Sequence, residues 1–347
     1  MSLNNTKKSL LIVGCGKMGL SHLVLFTPYI GKKNLIVVEK KMLMRCILFF
    51  LGYKTLASLP ATLEKMPGLR AVLVATPTRY HYEIAKWAIE KKLNIFVEKP
   101  LTLNPELSRD LVFKANKAEL ISQVGFVMRF MPSFVDLRAL ILSGELGEVK
   151  NYTASMRGYV MTPRIAPGSW QGNYQLGGGC LNEFGPHLLD LCRFLFGNID
   201  SVMGAKMGKI YSADADDWVT CRLQHHTNLE GNIELNWSDK TLRKSVVQIT
   251  VEFERASVYA DSSGIALVDS PLSIDLKKIQ ESISRRKYDV DFYLRGEEFS
   301  LQAEAFLHNS GYTISAKTNH TKDLGGDLSD GLIVDELINQ IASDLGY

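Results

Sequence analysis

Two polar segments, far apart in the chain, carry side chains suited to removing a proton from a hydroxyl group. Lys99 follows an apolar run, and its ammonium group would hydrogen-bond a substrate hydroxyl and stabilise the oxyanion left when the proton departs. An imidazole changes charge near neutral pH, so His187 can take that proton, while Glu183, four residues earlier, can orient the imidazole or relay the proton. The alternatives are that Lys99 is an ordinary surface charge and that His187 has its hydrogen bonds satisfied at the start of a helix.

The segment around His187 predicts a crowded helix start. Gly177-Gly178-Gly179 permits close approach of a neighbouring backbone or a bound ring, and Glu183, His187 and Asp190 share one face at helical spacing. Pro186 interrupts this pattern because it has no backbone N–H. A histidine and a carboxylate at this spacing also suit a metal, but with no third ligand in view we expect no metal site.

A glycine-rich segment near the N-terminus has the spacing of a phosphate-binding turn. It is Gly14-Cys15-Gly16-Lys17-Met18-Gly19, between an apolar strand and a residue run with helical periodicity. Gly14 allows a tight turn, Gly16 lets the backbone approach a pyrophosphate, and Gly19 allows close packing of helix on strand. Because the N–H groups of the helix start face an anion, the segment predicts dinucleotide binding. A glycine-rich surface turn is the alternative.

Glu39 ends the second predicted strand, where an acidic side chain accepts hydrogen bonds from an adenosine ribose. Its charge would repel a ribose phosphate, which favours NAD. Lys40 and Lys41 come next and would attract such a phosphate, so NADP stays open.

Apolar strands alternate with helices over the first part of the chain. This pattern predicts a doubly wound parallel sheet covered on both faces, the α/β class. The predicted strands are 10–13, 34–38, 71–75, 94–97 and 120–126, and the predicted helices are 18–26, 41–51, 61–66, 80–90 and 104–118.

The pattern changes after about Arg129, so we place one domain at residues 1–128 and an α+β domain at 129–347. Alternating and β-branched residues predict a large open, mostly antiparallel sheet in the second domain. The predicted strands are 149–156, 218–224, 229–237, 245–253 and 256–260, and the predicted helices are 132–142, 181–196, 297–307 and 328–342.

Composition restricts the class of protein only weakly. Of 347 residues, 46% are hydrophobic and 22% charged, and a net charge of +3 does not indicate a nucleic-acid or membrane partner. The five cysteines are scattered and odd in number, without a CxxC motif, which favours reduced thiols in the cytoplasm. The apolar run before Gly14 is too short for a signal peptide or membrane span.

In their order along the chain, these motifs closely resemble the glucose-fructose oxidoreductase/inositol dehydrogenase (Gfo/Idh/MocA) family. The likeness covers the glycine turn with His22, Ala75-Thr76-Pro77 with His81, Glu98-Lys99-Pro100, Gly125-Phe126 to Arg129-Phe130 with Pro132, and Gly177 to Asp190. It implies a Rossmann domain, a second domain whose sheet supports a homodimer or homotetramer, and hydride exchange between a nicotinamide and a sugar or polyol.

The resemblance also assigns residues. Lys99 and His187 match catalytic positions, Thr76, Pro77 and Glu98 lie toward the cofactor, and the Lys99-Pro100 bond is expected to be cis. The family commonly has aspartate where this chain has Glu183, which leaves the proton relay open.

Polar and aromatic residues before the glycine triplet are candidates for a substrate pocket. Two arginines can hold a phosphate or carboxylate, which keeps a nucleotide sugar among the candidate substrates. An NAD-dependent glycoside hydrolase that uses transient oxidation, and a non-enzymic dinucleotide-sensing regulator, are the alternative functions. The pocket candidates are Arg157, Arg164, Trp170 and Tyr174, together with His187.

Overall fold

The computed structural model of the chain divides into two compact units. The first comprises Met1–Gly125 and Asp289–Leu332, and the second comprises Phe126–Tyr288 and Ile333–Tyr347. The sequence-based division placed one boundary after residue 128 and gave everything beyond it to the second domain. Structure is described for residues 8–61, 66, 68–162, 169–212, 214–269, 295–314 and 323–347.

A six-stranded sheet forms the centre of the first unit. Its order is β3-β2-β1-β4-β5-β6, and every neighbouring pair is parallel. Strand order reverses between β1 and β4, the place where open α/β sheets bind ligands beyond their carboxyl ends. The predicted Rossmann-type sheet is confirmed. The strands are β1 (Ser9–Val13), β2 (Leu35–Val38), β3 (Lys54–Leu56), β4 (Leu69–Val74), β5 (Asn94–Val97) and β6 (Ser122–Val124).

The helices of this part follow the predicted pattern with one extension. The first helix runs past Pro28 and ends at Ile30, although the proline was expected to stop it. Asn104 caps the fourth helix as expected, because its side chain accepts a hydrogen bond from the Glu106 N–H at 2.9 Å. The predicted helix at 61–66 falls largely outside the described residues. The helices are α1 (Lys17–Ile30), α2 (Met42–Phe50), α3 (His81–Glu90) and α4 (Pro105–Lys117).

A seven-stranded sheet forms the second unit, in the order β13-β12-β11-β7-β10-β9-β8. All pairs are antiparallel except β7 with β10, which confirms the expected mostly antiparallel sheet. β8 and β13 were not predicted. The strands are β7 (Val149–Arg157), β8 (Ile199–Gly208), β9 (Trp218–His225), β10 (Glu230–Asn236), β11 (Val246–Phe253), β12 (Ser257–Asp261) and β13 (Gly264–Asp269).

Helices α5 (Pro132–Ser143), α6 (Cys180–Glu183) and α7 (Gly185–Phe196) belong to the same unit. Alternate residues of β11 are buried, as expected for a sheet with one covered face. On the covered side the Tyr152 ring stacks on Phe196 with centroids 4.0 Å apart.

Two more helices follow, α8 (Glu297–Asn309) and α9 (Leu328–Asp344). Phe306 of α8 packs edge-on against Phe26 and Phe96, in the hydrophobic core that covers the parallel sheet. Because of this apolar packing, α8 belongs to the first unit, although it lies far along the sequence from the strands of that unit.

Candidate functional site

The turn after β1 is built around glycines that the fold itself requires. Gly14 has φ +91°, and a Cβ there would lie 2.7 Å from the Ala75 carbonyl oxygen and 2.9 Å from Cγ2 of Thr76. A Cβ on Gly19 would lie 2.0 Å from the Gly14 carbonyl oxygen. The turns that follow β1 and β4 therefore touch at the point where strand order reverses.

Gly16 differs from its two neighbours in the motif. Its φ is −72°, which any residue adopts, and no described atom lies within 4 Å of a Cβ built there. Protein packing therefore does not require glycine at this position. The open space lies at the N-terminus of α1, where an approaching ligand would need it.

The N-terminus of α1 is arranged for an anion. Its N-cap, Gly16, has no side chain that could cap the first turn, and that turn contains no acidic residue. Lys17 is exposed and Met18 half-buried directly beyond the cap. Uncapped N–H groups and the helix dipole together favour a phosphate group at this position.

Glu39 lies beside the glycine turn, at the carboxyl end of β2. Its Oε2 accepts a hydrogen bond from the Cys15 N–H at 3.0 Å, and Oε1 accepts one from the Lys41 N–H at 2.8 Å. These bonds fix the carboxylate next to the glycine turn. Burial, with the Glu39 charge as a lesser cause, raises the pKa of the Cys15 thiol to about 11, so Cys15 is an inert thiol near neutral pH.

His81 joins the turn after β4 to the turn after β5. Its Nε2 lies 2.8 Å from the Thr76 carbonyl oxygen, and its Nδ1 lies 3.0 Å from the Pro100 carbonyl oxygen. Burial lowers the pKa of His81, and its backbone hydrogen bonds oppose that shift. Thr76 and the exposed Pro77 are thereby held in register with the Lys99-Pro100 segment.

The Glu98 carboxylate points into the unit. His22 Nε2 of α1 donates to Glu98 Oε1 at 2.6 Å, and the Lys99 N–H donates to Oε2 at 3.3 Å. Burial alone would raise the pKa of Glu98, but the His22 hydrogen bond and the His22 and Lys99 charges lower it below its ordinary value. Glu98 is therefore a carboxylate that fixes the start of the Lys99 turn.

Lys99 follows β5, at the carboxyl edge of the parallel sheet. The Lys99-Pro100 peptide bond is cis, as the resemblance implied. Lys99 is half-buried, whereas Glu98 before it and Pro100 after it are buried. The side chain is the partly accessible member of the Glu98-Lys99-Pro100 segment.

In the second unit, the segment after the glycine triplet forms two helices where one was predicted. α6 ends at Glu183, and α7 starts at Gly185 with Pro186 in its first turn. The proline lacks the N–H that a continuous helix would use, so the predicted helical segment 181–196 is present but breaks beside Pro186, the residue expected to interrupt it. His187 then lies in the first turn of α7, its N–H bonded to the Phe184 carbonyl oxygen at 3.1 Å.

Asp190 forms a buried ion pair with Arg129. It is buried, and its two carboxylate oxygens accept hydrogen bonds from Nε and Nη2 of Arg129 at 2.8 and 2.6 Å. Glu183 and His187 are half-buried. The Asp190 carboxylate is therefore used in a buried ion pair with Arg129, whereas Glu183 and His187 are partly accessible to solvent.

Of the pocket candidates, Arg157 is held within the sheet. Its Nη2 donates to Gln248 Oε1 at 2.6 Å, and Nη1 lies 3.6 Å from Asp239 Oδ2. Trp170 is exposed at the start of a 3₁₀ turn, Trp170–Gly172. Arg164 lies outside the described residues.

Tyr174 is part of an arrangement that sequence reasoning missed. Its ring stacks on Tyr347 with centroids 3.7 Å apart, and the Tyr347 hydroxyl donates to Asp216 Oδ1 at 3.2 Å. The other oxygen of Asp216 accepts the Leu181 N–H at 2.8 Å, at the start of α6. Burial, with the Asp216 charge as a lesser cause, raises the pKa of Tyr174 to about 12. The acidic stretch Asp214 to Asp217 was the available signal.

Two family models cover most of the chain. Residues 8–126 match the model described as "Oxidoreductase family, NAD-binding Rossmann fold", and residues 134–259 match the "GFO/IDH/MocA C-terminal domain". The two matched segments correspond to the parallel-sheet part and the open-sheet part described above. The chain belongs to the Gfo/Idh/MocA family of oxidoreductases.

Named relatives differ in what they act on. Scyllo-inositol 2-dehydrogenase (NAD(+)) of Bacillus subtilis (strain 168) is 30% identical over 196 residues, 56% of this chain and 55% of that protein. D-glucoside 3-dehydrogenase of Escherichia coli (strain K12) is 24% identical over 239 residues, 65% of this chain and 67% of that protein. The chain thus aligns with about half of the inositol dehydrogenase and two thirds of the glucoside dehydrogenase.

A solved structure extends the likeness in fold to almost the whole chain. The crystal structure of an oxidoreductase domain protein from Kribbella flavida has a TM-score of 0.78 at 20% identity, covering 97% of this chain and 96% of that one. At this identity the likeness concerns the fold. Across the described parts of the chain, none of the helices combines the length and apolarity that crossing a membrane requires.

Proposed function

We propose that the protein is an NAD(P)-dependent dehydrogenase that transfers a hydride between the nicotinamide and a secondary alcohol of a sugar, polyol or nucleotide sugar. One observation carries the proposal. The uncapped N-terminus of α1, the fixed Glu39 carboxylate and the Lys99 turn all follow strands of one parallel sheet at their carboxyl ends. Family membership supports the same reaction class.

In this proposal the first unit holds the cofactor, whose nicotinamide ring accepts or supplies the hydride. Gly14, Gly16 and Gly19 shape the turn, and the N–H groups of Lys17 and Met18 face the pyrophosphate. Glu39 accepts hydrogen bonds from the adenosine ribose. Thr76 and Pro77 line the nicotinamide end, and Glu98 supports that end by holding the Lys99 turn through its buried carboxylate.

Acid–base work is divided between two side chains. His187 takes the proton of the reacting hydroxyl, and Lys99 stabilises the oxygen as negative charge develops on it. Glu183 orients His187 or passes the proton onward. The reverse reduction uses the same groups, with His187 returning the proton.

The substrate class follows from chemistry and from the names of relatives. Inositol and glucosides are both rings with several secondary hydroxyl groups, and two relatives are named for them. We assign the exposed Trp170, with Tyr174, to the apolar face of such a ring, and Arg164, from its place in the sequence, to an anionic substituent. Arg157 contacts Asp239 and Gln248, so its contribution would be to shape the pocket wall.

We favour NAD over NADP because the Glu39 carboxylate lies beside the glycine turn, where a ribose phosphate would meet its charge. We also propose a cytoplasmic homodimer or homotetramer. Cys15, Cys46, Cys180, Cys192 and Cys221 are all free thiols, in keeping with a reducing compartment. The second face of the seven-stranded sheet carries polar side chains around a cavity of about 630 Å³, among them Arg222, Glu234 and Gln248, and it is the candidate assembly surface.

The test follows nicotinamide absorbance with NAD and NADP in parallel across free sugars, polyols, sugar acids, glycosides and nucleotide sugars. We expect one class to give clear turnover. Lys99→Ala should then lower kcat by roughly 10²–10³-fold with cofactor affinity nearly unchanged. Full activity of this variant, or cofactor binding without turnover on every class, would reject the dehydrogenase proposal. Release of free sugar from a glycoside without net nicotinamide turnover would favour a hydrolase.

A further inference from the structure

Helix α2 is apolar on two sides. On its inner side, Leu48 is buried in the core of the first unit and Met44 packs against that core. Its outer side is also apolar. This face, which we call the α2 face, consists of Met42, Leu43, Ile47, Phe49 and Phe50, with Leu51 directly after the helix, and these side chains are 45% to 86% exposed.

The α2 face is continuous. At 100° per residue, the positions of its five helical side chains cover one side of the helix, opposite Met44 and Leu48. The exposed Cys46 lies among them. A surface helix of a globular protein normally turns polar residues to water, and a contiguous exposed apolar patch indicates an interaction.

Basic residues surround both ends of the α2 face. Lys40 and Lys41 precede the helix, and at its other end Lys32 Nζ lies 3.2 Å from the Leu51 carbonyl oxygen. The exposed Lys33 and Lys54 are nearby in sequence. Between residues 32 and 61 the single acidic residue is Glu39, whose carboxylate accepts the N–H groups of Cys15 and Lys41. The overall charge of +3 therefore conceals a strongly cationic region.

We propose that the α2 face binds the surface of an anionic phospholipid bilayer. Apolar side chains, aromatic residues among them, bordered by lysines are the combination that enters the headgroup region of such a membrane. The nine-residue helix is far too short to span a bilayer, so it would lie at the interface.

Two features of the α2 face argue against a protein occupant. Its side chains offer no hydrogen-bonding group apart from the Cys46 thiol, whereas protein interfaces carry about one hydrogen bond per 100–200 Å². A second copy placed symmetrically on the face would bring lysines against lysines. Lipid tails need no hydrogen bonds, and phosphate headgroups pair with the lysines.

The test is co-sedimentation of the full chain with vesicles of phosphatidylcholine alone or mixed with phosphatidylglycerol. We expect binding to the mixed vesicles that weakens as salt rises. Phe49→Ser with Phe50→Ser should abolish it, and Lys33→Gln with Lys54→Gln should weaken it by roughly fivefold per lysine. Phe113→Ser on α4 is the matched control, because Phe49 and Phe113 are both 66% exposed, and it should bind like the unmodified protein.

Three results would overturn the proposal. They are absence of binding to mixed vesicles, binding that survives both phenylalanine substitutions, and equal loss in the Phe113→Ser control. Sedimentation velocity identifies the alternative occupant, since a smaller particle in the phenylalanine variant without vesicle binding by the parent would assign the face to a second copy. Unfolding midpoints of all variants show that the fold is intact. None of these readouts depends on the proposed dehydrogenase activity.

Discussion

His22 Nε2 donates a hydrogen bond to Glu98 Oε1 at 2.6 Å, inside the first unit and across 76 positions of sequence. Both side chains are buried. The bond ties α1, which begins at the glycine turn, to the turn that carries Lys99. Sequence analysis placed Glu98 toward the cofactor, whereas its carboxylate is directed into the protein.

Glu98→Ala should destabilise the fold strongly. Removing the buried carboxylate leaves His22 Nε2 without its hydrogen-bond partner and costs about 1–3 kcal/mol, the desolvation penalty of an unsatisfied buried group. Glu98→Gln keeps an acceptor for His22 and should cost less. The measurement is the free energy of unfolding in urea. Glu106→Ala is the control, because its ion pair with Arg109 is largely exposed and should contribute little. Equal effects of Glu98→Ala and Glu106→Ala would contradict this account.

The same carboxylate predicts an acid-dependent loss of stability. The pKa of Glu98 is lowered in the folded protein from an ordinary value of 4.5. Its contribution is therefore complete above about pH 4.5 and declines as pH falls through the folded pKa. The difference in unfolding free energy between the parent and Glu98→Gln should be constant at higher pH and shrink below 4.5. A difference that grows on acidification would show that folding raises the pKa of Glu98 and does not lower it.

The lowered pKa of His81 predicts a loss of stability on acidification that begins at a higher pH than the loss due to Glu98. Burial lowers its pKa from 6.5, so the unfolded chain binds a proton that the folded chain resists. Stability should be complete above about pH 6.5 and decline below it. His81→Gln should remove part of this decline, measured as the unfolding midpoint between pH 5 and 8. His226→Gln is the control, since His226 is exposed. An unchanged pH profile in His81→Gln would contradict the assignment.

The glycines of the first turn predict two separable effects. Gly14→Ala places a Cβ 2.7 Å from a carbonyl oxygen at a positive φ and should lower stability by about 1–3 kcal/mol. Gly16→Ala meets no described atom and should leave stability nearly unchanged. It should nevertheless weaken NAD binding by roughly tenfold or more, because the methyl group occupies space assigned to the pyrophosphate. Calorimetric titration and urea unfolding of both variants test this. Unimpaired NAD binding by Gly16→Ala would remove the turn from the cofactor site.

Local sequence signals were sufficient for much of the first unit. The strand Asn94–Val97 was predicted with its observed bounds, since a short apolar run between polar residues suits a buried parallel strand. β3 was missed because Lys54–Leu56 is a three-residue edge strand with little burial. The parallel pairing of β7 with β10 was beyond reach, because periodicity shows which face of a strand is buried but not which strand lies beside it.

The candidate site likewise contains residues that local sequence patterns indicated and contacts that they did not. Turn chemistry and strand ends indicated Gly14, Glu39 and Lys99, all of which lie at the expected edge of the sheet. The inward direction of the Glu98 carboxylate depends on His22, a long-range partner that no local pattern identifies. The Tyr174–Tyr347 stack is likewise a contact between residues 173 positions apart in the sequence.

Glu39 should control the choice between the two nicotinamide cofactors. Its fixed carboxylate would lose a charge-assisted hydrogen bond to the ribose in Glu39→Ser, which should raise KM for NAD by about 10- to 100-fold. The same change removes a charge that repels the ribose phosphate, so the ratio of kcat/KM for NADP to that for NAD should rise further. Glu39→Gln separates the two causes, since it keeps an acceptor but not the charge. Steady-state kinetics with both cofactors measures the ratio, with Glu90→Ser, an exposed carboxylate at the end of α3, as control. An unchanged ratio in both Glu39 variants would place the adenosine ribose away from β2.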